Sequence, residues 1–172
     1  MKTINASDYA ILSLSIAAPI VFELEESIFW RLEYFIQNPE SRNRKNYLIL
    51  AAFVFCLIYY FLYKKVPDKD VFRKELIDAI IGYTNFGFKE QKWEMVDPPE
   101  LKDIIKSIIQ YRNNNSRDYN DEESLSAFIM CSLSMIDVKS NDDIRNWTKM
   151  ISCCGVIKEG LGKFSDMYRF TC

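Results

Sequence analysis

The chain has 172 residues, 49 % of them apolar and 15 % aromatic, which is enough to build a sizeable core. Its formal charge of -2 gives no electrostatic footprint for a nucleic-acid backbone, and residues 66–172, with fifteen basic and eighteen acidic side chains, are acidic taken alone. There is no histidine, which removes the commonest general base and every Ser-His or Cys-His nucleophile.

In chain order, Tyr9 to Phe22 is uncharged but only fourteen residues long, and Pro19 interrupts it. That is short for a membrane span. A signal peptide cleaved after Ala18 is an alternative, opposed by the weakly basic start and by the helical period that continues beyond it. Past the proline, Val21, Leu24, Ile28, Leu32, Phe35 and Ile36 fall on one stripe while Glu23, Glu26 and Glu33 lie off it. Residues 8–36 are thus expected to form a kinked amphipathic helix, lying on or partly in a membrane or packed against copies of itself.

Tyr47 to Tyr63 is seventeen residues without a charge, bounded by Arg42, Arg44 and Lys45 before it and Lys64 and Lys65 after it. At a rise of about 1.5 Å per residue it covers roughly 25 Å, near the lower end of what a bilayer core requires. Tyrosines crowd both ends, where a headgroup region suits an amphipathic ring. The run predicts a transmembrane helix over residues 46–65; the competing reading is a buried core helix. Lys64, Lys65, Lys69, Arg73 and Lys74 follow the span, and free thiols suit a reducing compartment, so the C-terminal part is expected in the cytoplasm, beneath a bacterial inner membrane.

Capping signals divide the remainder into helices. Val66-Pro67-Asp68 punctuates the exit from the span, and Leu76, Ile77, Ile80 and Ile81 mark a helix to about Phe88. Asp97-Pro98-Pro99-Glu100 supplies an N-cap acid, prolines in the first turn and a reciprocal carboxylate, followed by Leu101, Ile104, Ile105, Ile108 and Ile109 in helical spacing. After the polar break at Asn113 to Ser116, Leu125, Phe128, Ile129, Met135 and Ile136 describe a third helix. A fourth, capped by Ser140 to Asp143, carries Ile144, Trp147 and Ile151 inward. Glycines after Gly155 are expected to end it, leaving Tyr168 and Phe170 in an extended piece or short hairpin. The fold class predicted is all-α, in three parts: residues 1–45 as N-terminal helix and basic loop, 46–65 as the span, and 66–172 as a four-helix bundle.

No glycine-rich phosphate loop is present, and Cys131, Cys153, Cys154 and Cys172 match no zinc spacing, so neither cofactor nor metal is expected. Glu122-Glu123 and Asp142-Asp143 stand in first turns of helices, where the dipole favours them as caps. Reading Ile144 to Cys154 as a DNA-recognition helix leaves only Arg145 and Lys149 to meet phosphates, so no DNA partner is expected.

The dipeptide Arg-Asn occurs twice, as Arg112-Asn113 at the end of one helix and Arg145-Asn146 near the start of another. In a helical bundle this resembles the start of the HEPN motif, in which Arg, a polar residue and a following His cleave RNA. Here the histidine is missing both times, which puts ribonuclease activity in doubt; the structural reading of each arginine is a paired or helix-capping side chain. A short chain with a membrane segment and a HEPN-like domain resembles the small membrane accessory proteins of type VI-B CRISPR systems. That resemblance implies a homo-oligomeric membrane ring with a central pore, acting in antiphage defence beside an RNA-guided RNase.

Two functions are therefore expected, both non-enzymatic. The first is a membrane-embedded homo-oligomeric pore, its partners being copies of itself and membrane lipid, with Ser13, Ser15, Glu23 and Glu26 as candidates to line the lumen. The second is a membrane-anchored binding protein of the toxin-immunity type, acting through its acidic helical domain.

Overall fold

The computed structural model describes residues 1–22, 37–115, 121–136 and 144–171, without the side chains of 22, 121–122 and 144–147. The continuation of the first helix through Leu24 to Ile36 and the cap at Ser140 to Asp143 lie outside these residues. The elements are β1 (Lys2–Asn5), α1 (Ala6–Phe22), a single 3-10 turn at Pro39–Ser41, α2 (Arg44–Leu62), α3 (Lys69–Glu90), α4 (Pro98–Asn115), α5 (Asp121–Met135), α6 (Ile144–Met167) and β2 (Tyr168–Thr171). The all-α expectation holds: six α-helices, one 3-10 turn and one two-stranded sheet make up the described secondary structure.

The apolar run becomes α2, and α2 is the axis of the bundle. Every residue from Leu48 to Ile58 is buried, so the helix is covered all round its circumference, and it packs against α1, α3, α4, α5 and α6. A helix apolar on all faces must be enclosed by protein or by lipid; here five helices enclose it, and one continuous core runs from Tyr9 to Phe170. It is also the one described helix long and apolar enough to cross a membrane. Residues on both sides of α2 contribute to the same core.

Two of the tyrosines toward its ends, Tyr47 and Tyr59, pack against other rings. Tyr47 meets Trp93 and Phe88 edge to face, with ring centroids 5.5 and 6.3 Å apart. Tyr59 stacks on Phe55 and on Phe72, which joins Tyr9 and Phe170 at the opposite pole. Asn43 caps α2, accepting from the Asn46 backbone N–H. Arg44 then ties its start to the α3–α4 connection. Its guanidinium donates to both carboxylate oxygens of Glu100 at 2.7 and 2.8 Å and to the carbonyls of Glu94 and Met95, and it lies over the Phe88 ring. Glu100, read from sequence as half of a capping box, is shared: it accepts from the Asp97 backbone and from Arg44.

Helix α1 buries Tyr9, Ala10, Ser13, Leu14, Ala17, Ala18 and Val21, a helical stripe that faces α3, α2 and α6. Pro19 lies inside the helix. Residues 6–22 thus pack one face into the bundle, while Ile11 and Leu12 on the same helix stay exposed. The first of the later helices starts earlier than its apolar pattern, at Lys69, because Asp68 accepts from the backbone N–H groups of Asp70 and Val71.

Helix α6 departs furthest from expectation. It runs unbroken to Met167 through Gly155, Gly160 and Gly162, because Met150, Cys153, Cys154, Ile157, Leu161 and Phe164 continue a buried stripe. Each interior glycine costs about 1 kcal/mol against alanine, less than the burial of a single large side chain on that stripe, about 1.5–3 kcal/mol. The extended terminal piece does form, but as β2 pairing in parallel with β1, Lys2 opposite Tyr168 and Asn5 opposite Thr171, so the two ends of the chain clasp each other.

Candidate functional site

Where α2 ends, four cations converge from three elements. Lys64 and Lys65 follow the last turn of α2, Arg112 stands in the last turn of α4, and Lys158 comes from the middle of α6. They line a cavity of about 470 Å³ with Tyr60, Phe61, Tyr63 and Gly162. No carboxylate is among its described lining residues. That is unlike the chain as a whole, which is slightly acidic.

Aromatic rings hold these cations in place. The Arg112 guanidinium lies 5.3 Å from the Tyr60 ring centroid, the Lys158 ammonium 6.0 Å from that of Phe61, and the Lys64 ammonium 5.8 Å from that of Tyr63. Such contacts are attractive by about 0.5–1 kcal/mol at exposed sites and reduce the freedom of long side chains. Hydrogen bonds add to them: Arg112 Nε donates to buried Ser124 on α5 at 3.2 Å, Arg112 Nη1 to Asn113 Oδ1 at 3.1 Å, and Lys65 Nζ to Ser165 on α6 at 2.7 Å.

Behind this rim lies a smaller recess of about 260 Å³, bounded by Cys56 and Tyr59 of α2, Ile109 of α4 and Phe128 of α5. Tyr60, Tyr63 and Arg112 line both spaces. The recess is apolar, the rim cationic, and the three shared residues form the boundary.

Of the residues singled out from sequence, Arg112 lies at this rim, and Asn113 accepts a hydrogen bond from it. The side chains of Arg145 and Asn146 fall outside the described residues, although their backbone opens α6. The four candidates for a pore lining do not form a described face. Ser13 is fully buried and donates to the Ala10 carbonyl, while Ser15 is exposed, donates to Leu12 and borders a groove between α1 and α3. Two residues apart on a helix, the serines point to different sides; Glu23 and Glu26 lie outside the described residues. In sequence Lys64 and Lys65 read as the charged flank of a span, and Lys158 lies 46 residues from Arg112 with no local pattern to mark it. An aromatic segment closing on a lysine pair was the available signal.

Among the described residues no group of three His, Cys, Asp or Glu could hold a metal ion. The thiols at 153 and 154 are buried, and burial pushes Cys153 up to about 12, far from the range of a reactive thiolate. Comparison with protein-family models, with curated proteins and with solved structures gives no match to this chain.

Proposed function

We propose that this chain is a non-catalytic binding protein whose working part is the cationic cavity at the end of α2, and that its ligand is an anion. The observation that carries this reading is the convergence of Lys64, Lys65, Arg112 and Lys158 on one concave space. A cavity of this size lies within the usual range for small-molecule sites. Lysine and arginine bind phosphate and carboxylate groups through charge-assisted hydrogen bonds, and cations already oriented by rings lose less freedom on binding. Proton-transfer chemistry is not proposed, because the chain has no histidine and the described rim has no carboxylate to act as base.

The test is an amide-resolved NMR titration of the intact chain with inorganic phosphate at low and high salt. Binding in the low millimolar range or tighter, with shifts centred on residues 60–65, 112 and 158 and weakened by salt, supports the reading. Shifts spread over the surface, or unaltered by Lys64→Ala together with Lys158→Ala, refute it.

A membrane-embedded homo-oligomeric pore is the second reading, favoured by one observation, the length and apolarity of α2. It requires α2 to exchange its contacts with five helices for contacts with lipid or with other copies. The mass of the purified particle tests it: six or more chains in detergent support a ring, and a monomer without detergent excludes it.

A further inference from the structure

A groove of about 570 Å³ runs between α1 and α3, with Ile11, Leu14 and Ala18 on one side and Ala79 and Gly82 on the other. Ile11 is 52 % exposed along it, and one helical turn beyond Gly82 the ring of Phe86 stands 69 % exposed, outside the groove lining. We propose that this face binds a second copy of the chain across a two-fold axis, the two α3 helices crossing antiparallel at Gly82. The anion cavity shares no lining residue with it.

Three observations select that occupant and that arrangement. A two-fold interface must be self-complementary, each copy offering what the other receives. With the axis at Gly82, the residue n positions after it lies opposite the residue n positions before it in the copy. Phe86 then enters the partner groove at Asp78 and Ala79, both of which line it, and the exchange is mutual. Gly82 is the second observation. Glycine weakens a helix interior relative to alanine, and a Cβ at this position would meet nothing of its own chain within 4 Å. The monomer therefore has no steric need of it, whereas two backbones crossing closely do.

The third is charge. Lys89 follows Gly82 by seven residues and Glu75 precedes it by seven, nearly two turns either way, so both share the side of the helix that carries Gly82. Antiparallel crossing sets the Lys89 of each copy against the Glu75 of the other; parallel crossing would set like charges together. Glu75 has room for that second cation, because within its own chain it shares the single ammonium of Lys74 with Asp78, at 3.1 and 3.0 Å.

Sedimentation equilibrium of the intact chain over a range of concentrations tests the proposal, in buffer density-matched to the detergent where one is used. A reversible monomer–dimer equilibrium is expected. Phe86→Glu and Gly82→Arg, each present twice in the interface, should raise the dimer dissociation constant at least about thirtyfold. Lys89→Glu should weaken the dimer and Glu75→Lys in the same chain should restore it, while Lys102→Glu, exposed on α4, changes nothing. Circular dichroism and a thermal melt confirm that each variant is folded. A chain that stays monomeric up to about 0.1 mM overturns the proposal and gives the face to a partner of another kind. A dimer or larger particle indifferent to Phe86→Glu and Gly82→Arg also overturns it, as does a double charge reversal that restores nothing.

Discussion

Lys92 follows the end of α3 with φ of 57°, in the left-handed region that glycine adopts without steric cost. Its backbone N–H donates to the Lys89 carbonyl and that of Trp93 to Phe88, the two bonds of a Schellman termination, and the Trp93 and Phe88 rings meet at 5.3 Å. The chain therefore stops α3 with hydrogen bonds and an aromatic contact while carrying a side chain where glycine is usual. Lys92→Gly should stabilise the fold by about 0.5–1 kcal/mol, read as a higher urea midpoint at unchanged slope.

Glu100 makes a different prediction at this scale. The hydrogen bonds from Arg44 hold its carboxyl below the usual carboxylate range. A depressed folded value means stability present above the unfolded pKa, about 4.3 for glutamate, and lost as pH falls through the folded value. The side chain is 38 % exposed, so solvent screening keeps the contribution to about 1 kcal/mol or less. Glu100→Gln is expected to be less stable than the parent at pH 7, the difference shrinking and then vanishing as the pH falls through the folded value, measured by urea unfolding across the acid range.

Among the elements, α6 separates what pattern reading can and cannot recover. Glycines after Gly155 suggested a stop, yet the apolar positions at Ile157, Leu161 and Phe164 kept helical period, and burial decided the outcome. Two of its glycines should then respond in opposite directions. A Cβ at Gly155 meets nothing within 4 Å, so Gly155→Ala is expected to stabilise by up to about 1 kcal/mol through helix propensity. A Cβ at Gly160 would stand 2.7 Å from Ile16 Cγ2, a methyl on a stiff β-branched side chain of α1. Gly160→Ala should cost about 1–3 kcal/mol, and Ile16→Ala in the same chain should recover part of that, a coupling measurable by a double-mutant cycle.

The caps at Asp68 and in Asp97-Pro98-Pro99-Glu100 were legible because their hydrogen bonds lie within four residues. The rim was not, because Arg112 and Lys158 approach only through the packing of α4 and α6 around α2. No local pattern encodes that approach.

For the whole molecule, the decisive ambiguity lies in α2. Length, lack of charge and terminal tyrosines describe a membrane span and the central helix of a bundle equally well, since either solvent of the helix is apolar. What sequence could not supply was the partner surface: Tyr9 and Phe72 from α1 and α3, Ile105 and Ile108 from α4, Phe128 from α5 and Ile157 from α6 all join the same core. The two environments differ in what a truncation costs. Phe53 is fully buried among protein side chains, so Phe53→Ala leaves a cavity and should destabilise by about 3–5 kcal/mol. On a lipid-facing helix the acyl chains would fill the space and most of that penalty would vanish. Chemical unfolding of the parent and of Phe53→Ala, both prepared without detergent, measures the difference. A soluble parent with a cooperative transition and a loss of that size identifies the surroundings of α2 as the other five helices. A parent that stays in solution only with detergent, and a variant unfolding at the same midpoint, identify them as lipid.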